Sequence, residues 1–212
     1  MNASAALSVV ALLTLAGTSL GAGKQRLQNV TPKVALIGTP EFAATIPLMQ
    51  PKRPRPPVAN ENRLWLEFET DFDALENLPE VTFKYGLLIN VPGVLPKLIE
   101  GEVTHVDVSM GREKHSVMYI APKTIQKLTE GKTFMVNNIK AYWVEVSVAG
   151  ETLGVVAKPS NAEFEKIQKA KESTDPKVKE SFEKVSDSLL NKQQTPFAPL
   201  FGDYFEATKA TR

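Results

Sequence analysis

The chain of 212 residues carries 25 Lys and Arg against 24 Asp and Glu, two His, 15 Pro and no Cys, and 42% of it is apolar. The missing cysteines exclude a disulfide framework, a thiolate zinc site and a thiol nucleophile. A net charge of +1 supplies no broad field for nucleic acid or an anionic membrane, and the composition is that of a globular protein.

From Met1 to Gly23 there is no charged side chain, and Ala5–Ala16 forms an apolar block followed by small residues. That pattern predicts a signal peptide over residues 1–23. Ser19 with Gly21, or Gly21 with Gly23, meets the small-residue requirement before a cut. Without Cys there is no lipid attachment, and Lys24-Gln25-Arg26 ends the apolar run that a prepilin leader would continue. The expectation is export to the periplasm, outer membrane or cell surface, with no transmembrane segment after cleavage.

After the leader, strands dominate. Lys33–Ile37 is the first candidate, followed by a connection containing Pro40, Pro47, Pro51, Pro54, Pro56 and Pro57, where missing N–H groups disfavour a central strand or a helix. Arg63–Phe72 alternates, with Leu64, Leu66, Phe68 and Phe72 on one face and Glu67, Glu69 and Asp71 on the other. Val81–Ile89, Val103–Met110, Lys114–Ile120, Ile139–Val148 and Thr152–Ala157 complete a set of seven. Two tight hairpins are predicted. A turn at Gly111-Arg112 would pair Val106 with Val117 and Thr104 with Tyr119. A turn at Gly150-Glu151 would pair Val148 with Leu153, Val146 with Val155 and Val144 with Ala157.

Ser160, with Glu163 three residues on, predicts a helix start. Asp175-Pro176 predicts a second helix with an apolar stripe of Val178, Phe182, Val185 and Leu189. The closing segment contains Phe197, Leu200, Phe201, Tyr204 and Phe205 between Pro196 and the C-terminus. That apolar area needs a docking surface, and its prolines suit an extended strap. The expected class is mainly β with C-terminal helices (α+β), an antiparallel β-sandwich of about seven strands. Residues 24–159 form the sandwich, and residues 160–212 form helices and strap packed upon it.

The residues mark no reaction. In the Gly111-Arg112 hairpin His105 and His115 fall on opposite faces and read as surface residues of a β ribbon. The Glu67, Glu69 and Asp71 row reads as a solvent face rather than a metal cage or a glycosidase pair. No nucleophile elbow, phosphate loop or dinucleotide fingerprint occurs. The expectation is therefore no enzyme, no cofactor and no metal site. Lys52, Arg53 and Arg55 form a basic Pro-rich cluster suited to a partner or an anionic envelope surface. Trp143 and Trp65 sit opposite the mainly apolar strand faces, either as stacking residues or beneath a covered second face.

The leader, the strand series and the ending Thr195-Pro196-Phe197-Ala198-Pro199-Leu200-Phe201 together resemble a group of small exported proteins of Akkermansia-type Verrucomicrobia, encoded in a type IV pilus-like locus. That resemblance implies an immunoglobulin-like fold, an outer-membrane or surface setting and a structural role, with no catalytic residues to carry across. The resulting expectation is a non-enzymatic structural or accessory protein that touches pilus-assembly or envelope proteins, or a second copy of itself. Lys52, Arg53, Arg55, Trp143, Phe197, Phe201, Tyr204 and Phe205 are the candidate contact residues. A glycan- or envelope-binding module using aromatics and the basic segment is the alternative.

Overall fold

The computed structural model describes residues 25–40, 64–175, 181–200 and 204–209. The leader, the basic Pro-rich cluster and Phe201 lie outside the described residues. Among the described residues nine strands form two sheets: β1 (Leu27–Ile37), β2 (Trp65–Ala74), β3 (Leu78–Ile89), β4 (Lys97–Val108), β5 (Gly111–Ile120), β6 (Ile139–Val148), β7 (Glu151–Lys158), β8 (Glu183–Val185) and β9 (Leu190–Asn191). The first sheet runs β1-β2-β5-β9 and the second β7-β6-β3-β4-β8. All seven expected strands are present, mostly a few residues longer than their apolar patterns suggested. The described residues also form the short helices α1 (Pro122–Leu128) and α2 (Asn161–Glu172).

Alternation decides which residues fill the space between the sheets. Leu66, Phe68 and Phe72 of β2 meet Val81, Phe83, Tyr85, Leu87 and Ile89 of β3, all at most 1% exposed. Phe68 and Tyr85 contact edge to face at 4.7 Å. Burying such side chains is worth about 1.5–3 kcal/mol each, and this layer is the main core. Pro32 sits inside β1, which is tolerated because β1 pairs on one side only.

Three expectations change. The hairpin at Gly111-Arg112 does not form: β4 pairs with β3 and β8, whereas β5 pairs with β2 and β9. The chain crosses between sheets there, because alternation fixes which face is buried but not which strand lies alongside. The β6–β7 hairpin does form, but its turn is Ala149-Gly150, both with positive φ (50° and 83°), as a primed two-residue turn requires. Val148 therefore faces Glu151, and after a register shift Val146 faces Gly154 and Val144 faces Val156.

The second helix is also overturned. Among the described residues of that stretch, Glu183–Val185 pairs in parallel with Lys97–Ile99, and Asp187 takes a positive φ of 54°. Its intended stripe divides between two surfaces: Leu189 enters the main core, while Phe182 joins the cluster beneath α2. Ser181, Ser186, Asp187 and Ser188 are poor helix interior residues, so tertiary burial decided the outcome.

Both outer faces are covered. Ser160 caps α2 by accepting the Glu163 amide at 3.3 Å, as its spacing predicted. Phe164 and Ile167 then lie over Trp143, Ala141 and Ala157 on the second sheet. The C-terminal strap covers the first sheet. At one flank, residues 206–209 also seal the gap between the sheets: Lys209 N donates to Thr104 O at 2.7 Å, and Val106 N donates to Ala207 O at 3.0 Å. At the opposite flank β1 and β7 are the outermost strands.

Candidate functional site beneath the C-terminal strap

Three strands build the floor of the site. On the outer face of β2 stand Trp65, Glu67, Glu69 and Asp71. Register places Lys33 of β1 opposite Glu69, and His115, Val117 and Tyr119 of β5 opposite Asp71, Glu69 and Glu67. The strap forms the roof. Phe197, 4% exposed, stacks on Tyr119 at 4.7 Å and meets the edge of Trp65 at 5.5 Å. Tyr204 stacks on His115 at 3.8 Å with the rings 13° from parallel. Lys192 lies 5.0 Å over the Phe205 ring, and its burial lowers its pKa.

The carboxylate row is thus not a free solvent face, because Phe197, Tyr204 and Phe205 lie on it. His115 Nδ1 is 3.1 Å from Glu69 Oε1 and 3.1 Å from Asp71 Oδ1. Lys33 pairs with Asp71 through the other oxygen, Oδ2, and that bond raises the Lys33 pKa. Burial raises the Glu67 carboxyl pKa, against a hydrogen bond from the Tyr119 hydroxyl. A groove of about 580 Å³ remains, with Glu67 and Glu69 in its floor and Phe197, Leu200, Tyr204 and Phe205 in its wall.

The two histidines are neither close partners nor surface residues of one ribbon. His105, 1% exposed, points inward. Its Nδ1 donates to Glu206 O at 3.1 Å, and its Nε2 accepts from the Ser116 hydroxyl at 2.8 Å. It therefore ties β4, β5 and the strap together at the sealed flank. Burial lowers its pKa below the ordinary 6.5, outweighing the strap's backbone contacts. Lys114 and Glu206 add an ion pair at 2.9 Å.

The expected contact residues separate into three groups. Phe197, Tyr204 and Phe205 come together over the first sheet, although only Tyr204 is widely exposed, at 46%. Trp143 lies elsewhere, 4% exposed and 5.4 Å from Phe164 of α2, so it fills a covered second face. Lys52, Arg53, Arg55 and Phe201 lie outside the described residues. Sequence reasoning missed His115, Tyr119 and Lys33 as companions of the acidic row. The signal was available only through the β2–β5 pairing.

Among the described residues no helix is long and apolar enough to cross a membrane. No curated protein matches the chain. A crystal structure of a protein from Akkermansia muciniphila is similar, with a TM-score of 0.65 and 19% identity, over 90% of this chain and 98% of that one. At that identity the likeness concerns the fold. A protein-family profile covers residues 19–212, and the chain belongs to that family.

Proposed function

We propose that the protein is an exported, non-enzymatic, immunoglobulin-like component of a type IV pilus-like or other cell-surface assembly, acting by protein contact. The strand order β1-β2-β5 facing β7-β6-β3-β4 supports the immunoglobulin-like reading, since it is the two-sheet arrangement of consecutive Greek-key strands. The observation that carries the mode of action is the asymmetry of the flanks. β8, β9 and residues 206–209 pair along β4 and β5. Among the described residues no strand pairs with the outer edges of β1 and β7, where the Ala157 amide of β7 donates to Asn161 Oδ1 at 3.2 Å. Those edges offer main-chain donors and acceptors to an added strand.

The glycan-binding alternative loses its two stacking candidates. Trp143 is packed under α2, and Trp65, 8% exposed, is packed under Phe197.

A chain without native cysteine allows a direct test. Single cysteines replace exposed Ala35 in β1, Thr152 in β7 and, on the sealed flank, Ala207. Thiol cross-linking in the native envelope should join A35C and T152C to pilus-assembly proteins, and should leave A207C unjoined. Capture of no such protein, or equal capture through A207C, overturns the proposal.

A further inference from the structure

We propose that Glu69, Asp71 and His115 form a binding site for a divalent transition-metal ion of the zinc class. Their ligand atoms all lie within 4.8 Å of one another, with the imidazole Nδ1 3.1 Å from an oxygen of each carboxylate. An ion bonded to nitrogen and oxygen at about 2.0–2.2 Å holds its ligand atoms roughly 3 Å apart, so the donors stand close to coordinating positions.

Proton counting supplies the independent argument. Nδ1 carries at most one proton, which serves Asp71 Oδ1 at 3.1 Å. Glu69 Oε1 is shielded from solvent and accepts no hydrogen bond. A carboxylate oxygen buried without a donor is a costly arrangement. A cation in place of that one proton serves both oxygens and the ring nitrogen together.

The surroundings fit a ligand set held from outside. Lys33 pairs with the second oxygen of Asp71, the Tyr204 hydroxyl bonds to Glu69, and the Tyr204 ring lies flat on His115. Such outer partners orient ligands and sharpen affinity. One imidazole with two carboxylates suits zinc or its neighbours better than calcium or magnesium, which favour all-oxygen shells. Glu69 also lines the groove, which gives the ion a route in and leaves room for water to complete its shell. A bound ion would fasten β2 to β5 and, through Tyr204, to the strap.

The test uses the full chain, freed of metal by a chelator, dialysed and titrated with zinc chloride by calorimetry. One equivalent should bind, calcium and magnesium should not compete at equal concentration, and the His115 ring protons should shift in NMR spectra. E69Q keeps the shape of the side chain and removes its charge, so it should fold like the parent. E69Q and H115Q each remove a ligand and should weaken zinc binding by at least about 100-fold, the upper end of what losing an outer-shell partner costs. No binding by the parent overturns the site. So do an unmoved His115 signal, preference for calcium or magnesium, or unchanged zinc affinity in folded E69Q.

Discussion

Gly86 shows how one absent side chain sets a whole face. It stands opposite Trp143 on the adjacent strand, and a Cβ there would lie 2.2 Å from the indole ring. Gly86→Ala should therefore destabilise the protein by about 1–3 kcal/mol, the usual cost of overpacking, read as a lower midpoint in thermal or urea denaturation. His105 makes a second residue-scale prediction. Its folded-state pKa lies below 6.5 because it is buried, so the unfolded chain takes up a proton first as pH falls. Its contribution to stability is complete above about pH 6.5 and declines as pH falls through the folded value. The melting temperature should fall as the pH drops below about 6.5, and H105Q should flatten the fall. A profile unchanged by the substitution would remove this assignment.

At the scale of elements, the strap is held by ring contacts and by backbone. Phe197 fills a slot between Trp65 and Tyr119, and truncating a buried Phe typically costs about 3–5 kcal/mol. Phe197→Ala should lower the denaturation midpoint and shift Trp65 emission to longer wavelength as water reaches the indole. An unchanged spectrum would mean that the strap does not cover Trp65 in solution. The strap's need for a surface was legible in its aromatic residues, and α2 was legible in Ser160 and Glu163. The seven strands were legible in Leu66, Phe68, Phe72 and their like. The neighbours of those strands were not. Alternation along β5 says that His115 and Tyr119 share a face, but only long-range pairing puts them beside Asp71 and Glu67. The site beneath the strap consists of such pairings, which is why a row of carboxylates read alone looked like a solvated surface. The second helix failed for a related reason: the spacing of Phe182, Val185 and Leu189 suits a helix, yet those residues serve two separate clusters.

At the scale of the molecule, the sandwich is stabilised without a covalent link between its sheets. The inner aromatic layer supplies most of the burial. His105, Ser116 and Glu206 cross-link the sheets by hydrogen bonds at one flank, where residues 206–209 bond to the backbone of β4 and of β5. The near-neutral charge total conceals local order, with Glu67, Glu69 and Asp71 gathered on one face and Lys171 and Lys184 drawn to Glu100 on the other sheet. The difference between the two flanks bears on assembly geometry. Strand-by-strand growth of a row needs a donor edge and an acceptor edge on opposite sides of each unit. On the proposed edge pairing, with β4 and β5 bonded by its own tail, the described residues leave the β1 and β7 side for a partner strand. A row built that way would have this molecule as an end piece or as half of a pair, and extending the row would require displacing the tail.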